Sequence, residues 1–155
     1  MELADKIIVV TGAASGIGRA MAVRFKAEGA KQIVAVDINI EGAQATAEMV
    51  DGVAMSADVS REEDIQRVIE ETESNVGPID LFCSNAGIGV APTLDSPNEQ
   101  WQQIWEVNVM AHVYAARHLI PRMVARGGGY LLNTSSAAGL LNQIGGVAYA
   151  TTKHA

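Results

Sequence analysis

Two residues near the end of the sequence are spaced for proton chemistry. Tyr149 and Lys153 stand four apart in Tyr149-Ala150-Thr151-Thr152-Lys153, so on a helix they share one face. An ammonium beside a phenol favours the phenolate. A tyrosine held that way gives a proton to a carbonyl oxygen or takes one from an alcohol. On spacing alone, an ordinary amphipathic pair is the commoner explanation. Upstream, Ser135 and Ser136 follow an apolar run. A hydroxyl there can hydrogen-bond a substrate oxygen beside the tyrosine, although isolated serines in a turn are usually structural. Asn108 lies inside a long helical pattern, where asparagine is a mild misfit. It points to a kink or a buried water, or to neither.

A second kind of chemistry is written at the other end. Residues 6–18 read KIIVVTGAASGIG: a short apolar strand, a glycine-rich turn, then a helix. Gly12, Gly16 and Gly18 punctuate the turn. Such a turn lets backbone approach a pyrophosphate, and the helix start after Gly16 offers free N–H groups and a positive dipole end. The spacing is not the usual G-x-G-x-x-G, and a glycine triplet alone is a weak signal. The strand before it and the helix after it strengthen it. Asp37 stands 19 residues after Gly18, just past the second apolar run. A carboxylate there accepts hydrogen bonds from both ribose hydroxyls of an adenosine and repels a 2′-phosphate, which favours NAD over NADP. The alternative is a loop or capping aspartate. Ser15, before Gly16, brings no charge for a phosphate. Asp58, with Val59 after it, follows the third apolar run and can meet an adenine edge, although alone it reads as a turn residue. Asn85-Ala86-Gly87 puts small residues after the fourth run, and by itself signals only a turn.

These residues need elements to position them. Strands are expected at residues 7–10, 33–36, 53–57, 79–83 and 130–133, alternating with helical patterns. The first helix carries Ile17, Met21 and Phe25 and ends at Gly29; the second covers about residues 40–50. Ser60-Arg61-Glu62-Glu63 reads as a capping box with Ser60 at N-cap and Glu63 at N3. The helix behind it presents Ile65, Val68, Ile69, Thr72 and Val76 on one face. Ser96-Pro97-Asn98-Glu99 reads as a second box with Pro97 at N1. A helical pattern then runs to Arg126, with Pro121 expected to kink or bound it. Small residues fill 134–146, and a last helix begins near Val147. Alternating strands and helices with continuous apolar strands mean a parallel sheet covered on both faces.

The composition fits one ordered domain over residues 1–155, at 48% apolar and 19% charged. A net charge of −7 argues against a nucleic-acid or acidic-membrane partner and otherwise reads as solubility. The lone Cys83 has no partner for an internal disulfide and reads as a packed thiol in a reducing compartment. No apolar run approaches the roughly 20 residues of a membrane span. No signal peptide is visible, so a cytoplasmic location is expected. His112, His118 and His154 are scattered without carboxylate or cysteine partners at ligand spacing, so packing or surface roles and no metal are expected. No Gly-x-Ser-x-Gly elbow is present.

Taken together, the motifs resemble the short-chain dehydrogenase/reductase family, in order along the whole chain. Thr11-Gly12-Ala13-Ala14-Ser15-Gly16-Ile17-Gly18 resembles its cofactor motif, with Asp37 in the place of the acidic residue of NAD-preferring members and Asp58 in that of the adenine contact. Asn85-Ala86-Gly87 resembles its strand-four motif, with Ser84 where a first asparagine usually stands. Asn108 matches the catalytic asparagine, and Tyr149-x-x-x-Lys153 the signature pair. The family's active serine stands 13 residues before the tyrosine, which selects Ser136. The resemblance implies an α/β, Rossmann-type doubly wound parallel sheet with strand order 3-2-1-4-5. It implies an NAD(H)-dependent oxidoreductase of an alcohol or ketone. Tyr149 would be the general acid/base, and Lys153 the residue that binds the nicotinamide ribose and activates the tyrosine. Ser136 would position the substrate oxygen, and Asn108 would hold a water linking Lys153 to solvent. It also implies a homo-oligomer, dimer or tetramer. The family's later strands and substrate-binding segment have no counterpart, so the chain is expected to be the front part of a longer enzyme. The rival reading is a non-catalytic nucleotide-binding or interaction module, with strand five an open edge and the helix from Trp101 exposing apolar surface.

Overall fold

The first apolar run forms β1, Ile7–Thr11, buried along its whole length. In the computed structural model, which describes residues 1–89, 95–141 and 146–155, β1 lies at the centre of a five-stranded parallel sheet. The other strands are β2 (Gln32–Asp37), β3 (Val53–Ser56), β4 (Leu81–Ser84) and β5 (Tyr130–Asn133). The order is β3-β2-β1-β4-β5, as expected. Register aligns Val10 with Ala35 on one side and Cys83 on the other, so the strands end near a common line. Residues 90–94 and 142–145, which carry the expected loop at Pro92 and part of the stretch before the last helix, lie outside the described residues.

Successive side chains of a strand point to opposite sides, and helices cover both faces at β1, β2 and β4, whereas β5 at the edge is largely exposed, with Tyr130 and Leu132 open. Val9, Val34, Val36 and Phe82 pack on one side with Ile65 and Ile69 of α3 (Glu62–Asn75) and Leu119 of α5 (Ala111–Ala125). Ile8, Val10, Ile33, Ala35 and Cys83 pack on the other, against Ala22 of α1 (Gly16–Ala27) and Ala47 of α2 (Ile40–Met49). Burial pushes the Cys83 thiol up to about 12, as suits a packed side chain.

Several local expectations shift. Helix α3 starts at Glu62 with Arg61 at N-cap and no side-chain cap. Ser60 is drawn instead to Asp58, whose Oδ1 accepts both its amide (3.0 Å) and its hydroxyl (2.6 Å), a local turn that competes with capping. Asp64 accepts the Asp58 amide at 2.8 Å. Helix α4, Asn98–Trp105, has Pro97 at N-cap rather than N1, with ψ at 151°. The long helical stretch is not uniform: Glu106–Met110 is a π turn between α4 and α5. Pro121 sits inside α5, which continues to Ala125; the helix gives up one backbone bond there. His118 does have a carboxylate partner, with Nε2 3.0 Å from Oε1 of Glu62.

Candidate active site

The glycine turn joins β1 to α1, and its glycines do different jobs. A Cβ on Gly18 would lie 2.1 Å from the carbonyl oxygen of Gly12, so only glycine lets the helix start pack on the turn. Gly16 has φ +53° and nothing within 4 Å of a Cβ position, so its bare face opens on the groove it lines. Ser15 caps α1 without a side-chain bond, which leaves the first N–H groups of the helix facing outward.

The turn is tied to the next strand ends by Thr11. Its hydroxyl accepts the amides of Asn85 (3.0 Å) and Ala86 (3.1 Å) and donates to the Cys83 carbonyl (3.2 Å), the full capacity of one hydroxyl. Asn85 Nδ2 donates to the Thr11 carbonyl at 3.1 Å, and Thr134 Oγ1 donates to Asn85 Oδ1 at 3.1 Å. Lys153 Nζ donates to the Thr134 carbonyl at 3.3 Å. Hydrogen bonds thus run from the glycine turn to the lysine of α6 (Val147–His154).

Asp37 closes β2. Its Oδ2 accepts the Ala14 amide and its Oδ1 the Asn39 amide, at 2.9 and 3.0 Å. Each oxygen keeps a further lone pair. The guanidinium of Arg19, which follows the glycine turn, is already engaged: Nε donates to Thr46 Oγ1 at 3.0 Å and a terminal nitrogen to the Ala14 carbonyl. Asp37 also lines a cleft of about 240 Å³ with Asp58, Val59, Gly87 and Ile38. Ile38 is 69% exposed and Ile17 66%, unusual for isoleucines at the edge of a polar groove.

Asn108 sits in the π turn, 3% exposed. Its Oδ1 accepts the Ile88 amide at 2.9 Å, and Nδ2 donates to the Ile88 carbonyl (3.0 Å) and to Thr152 Oγ1 (3.1 Å). Both amide hydrogens are therefore in use, and one Oδ1 lone pair remains. The inserted turn, a feature common at functional sites, brings Asn108 under both Ile88 and α6. A Cβ on Gly87 would lie 3.2 Å from Asn108 Oδ1 and 3.7 Å from Lys153 Nζ. Ser136 accepts the Ala138 amide at 3.2 Å. Lys153 Nζ stands 5.8 Å from the centre of the Tyr149 ring.

One groove of about 540 Å³ runs past these groups, from Gly12, Ser15 to Gly18 and Asp37, along Asn85 to Gly87, to Ser136, Tyr149 and Lys153. It lies at the carboxyl ends of the strands, where ligands bind in open α/β sheets. Asn108 stands behind its wall rather than on it. Asp58 and Val59 line the neighbouring cleft. Ile38, Ile88 and Thr134 escaped sequence reading, and His112 received only a packing or surface role there. For His112 a signal existed, since it follows Asn108 by four, the spacing that paired Tyr149 with Lys153.

A family model described as short chain dehydrogenase matches residues 6–155. The chain belongs to the short-chain dehydrogenase family. It is 38% identical to 1-deoxy-11-beta-hydroxypentalenate dehydrogenase of Streptomyces exfoliatus, over 100% of this chain and 59% of that protein. It is 33% identical to an NAD-dependent glycerol dehydrogenase of Listeria innocua, over 99% of this chain and 61% of that one. A solved structure from Novosphingobium aromaticivorans, assigned to the short-chain dehydrogenases, superposes with a TM-score of 0.92 at 26% identity, over 99% of this chain and 60% of that one. The chain thus spans about three fifths of the length of these short-chain dehydrogenase relatives.

Proposed function

We propose that this chain is the cofactor-binding and catalytic part of an NAD(H)-dependent oxidoreductase that interconverts an alcohol and a ketone. The observation that carries this reading is the single groove with Asp37 at one end and Ser136, Tyr149 and Lys153 at the other. The residues fit the cofactor. The bare face of Gly16 would lie against the pyrophosphate with the α1 amides. The remaining lone pairs of Asp37 suit a vicinal diol, and the Arg19 guanidinium is already engaged by Thr46 and the Ala14 carbonyl. Bound NAD would supply the hydride acceptor or donor carbon.

The remaining work belongs to the chain. Tyr149 Oη takes the proton of the alcohol, or gives one to the ketone. The Lys153 ammonium supports the charged phenolate and binds the cofactor's second ribose. Ser136 Oγ hydrogen-bonds the substrate oxygen. Asn108 fixes Ile88 and α6, and its remaining Oδ1 lone pair can hold a water. Exposed Val113, Ile120 and Val124 on α5 suit a homo-oligomer, and a cytoplasmic location fits the lone buried thiol. Among the described residues, no helix is long and apolar enough to cross a membrane.

Calorimetry of NADH and NADPH with the chain and with Asp37→Ala tests the cofactor assignment. NADH-selective binding that the substitution levels is expected. Unchanged relative affinity for the two cofactors refutes the role of Asp37. For the chemistry, Tyr149→Phe should keep NADH affinity and abolish turnover of alcohols.

A further inference from the structure

Behind Lys153 lies a second cavity, of about 240 Å³, walled by Asn108, His112, Thr134, Thr152 and Lys153. Thr134, Ser135 and Lys153 also line the cofactor groove. Lys153 is therefore a shared wall, with the tyrosine on one side and this cavity on the other. Most of the side chains lining it can hydrogen-bond, and one lining residue carries a group that needs a partner: His112 Nε2 is buried and makes no hydrogen bond to the protein. A buried polar nitrogen without a partner is costly, and a cavity this size admits water, which takes up about 30 Å³ per molecule in the liquid.

We propose that His112 Nε2 holds a water against Lys153 Nζ and so forms the outer station of the proton path from Tyr149. The inference rests on the oxidoreductase reading above and adds a positioning residue to it. Asn108 offers that water only its remaining Oδ1 lone pair, because both its amide hydrogens are bound to Ile88 and Thr152. His112 lies one helical turn further on, and its Nε2 has no such partner. In alcohol oxidation, Nζ gives one proton to the cavity water and regains one from the tyrosine side; the water passes its proton outward. One proton leaves, and no residue on the path ends with a changed charge.

The surroundings favour a neutral imidazole. Burial, and then the Lys153 charge, hold His112 below its ordinary value. Lys153, from α6, is the charged side chain lining this cavity. The π turn contributes Asn108 and Val109, and β5 with its following loop Asn133, Thr134 and Ser135, none of them charged.

The test has two arms. The first follows His112 by NMR titration of the ¹⁵N-labelled chain, without cofactor. Lys153→Met is expected to raise the His112 titration point and to alter its water contacts. If neither moves, the shared cavity does not couple the two residues and the proposal is overturned, whatever the chain binds. The second arm compares His112→Phe and His112→Gln in turnover across pH. His112→Phe is expected to lower kcat about tenfold with NADH affinity kept, and added imidazole to restore it; His112→Gln, which can hold a water, should keep most of the rate. A loss in His112→Phe that imidazole does not restore, or no loss, overturns the proposal. Failure of NADH to bind the unaltered chain sinks the oxidoreductase reading instead, and the first arm, run without cofactor, still decides whether His112 and Lys153 are coupled.

Discussion

Replacing Asn108 by alanine should cost far more than a mid-helix asparagine ordinarily would. The side chain holds the amide and the carbonyl of Ile88 and also Thr152 Oγ1. Thr152 keeps its own bond to the Tyr149 carbonyl, at 2.9 Å, so it loses little. The two Ile88 groups, in a half-buried residue, lose the side chain that satisfies them, at up to about 1–3 kcal/mol each, the cost for fully buried groups left unpaired. Water entering from the cavity that Asn108 lines will recover part of this, which leaves an expected loss of about 3 kcal/mol. For a chain of this size that is a fall in Tm of roughly 6–12 °C. The gain in helix propensity from alanine offsets less than about 1 kcal/mol. Urea unfolding followed by circular dichroism measures the change directly. Asn108→Asp should fall between, because one carboxylate oxygen still accepts the Ile88 amide while the donors are gone. A loss below about 1 kcal/mol for Asn108→Ala would refute the reasoning. It would mean that Ile88 and α6 are held by packing, and that the π turn does not exist to deliver this side chain.

Two further predictions separate stability from binding. Gly18→Ala places a Cβ 2.1 Å from the Gly12 carbonyl oxygen and should destabilise the chain by about 3 kcal/mol or more. Gly16→Ala meets nothing within 4 Å and should cost only about 1–2 kcal/mol for its left-handed backbone, yet block NADH; equal stability losses for the two would contradict this division. At the α3–α5 interface, burial acts to raise the Glu73 carboxyl, and hydrogen bonds from Arg126, the Ile79 amide and Arg122 outweigh it, holding it below 4.5. Its contribution is thus full above pH 4.5 and fades as pH falls through the lower folded value. Glu73→Gln should cost about 1 kcal/mol at pH 7 and progressively less below pH 4.5. A loss that stays constant down to pH 3 would count against it.

The sheet and its ligand edge were legible because they depend on local pattern. Continuous apolar runs, glycine punctuation and helical periodicity are carried by neighbouring residues, and β5 appears at residues 130–133 as read. The strand order followed from resemblance, and the sheet has it. Short-range competition was harder to see. Ser60 looked like a cap until Asp58 took its hydroxyl, and nothing in four letters ranks those two bonds. Pro121 was expected to kink or bound the helix, and α5 runs through it with Leu119 and Met123 buried on either side.

The sequence by itself determined that a glycine turn follows a buried strand, that an acid closes the second strand and that a tyrosine and a lysine share a helical face. Each depends on the few residues around it and on chain geometry common to all proteins. Tertiary structure alone decided which of these meet. Asn108 could be read only as a misfit, because its partners Ile88 and Thr152 lie 20 and 44 residues away, and the π turn that aims it is set by those bonds. It also divided the glycines, with Gly18 fixed by a carbonyl it must not touch and Gly16 left bare to the groove. His112 is the plainest case. A histidine without sequence partners reads as packing. Only the fold, by burying Nε2 without a partner in a residue that shares a cavity wall with Lys153, makes that lack informative.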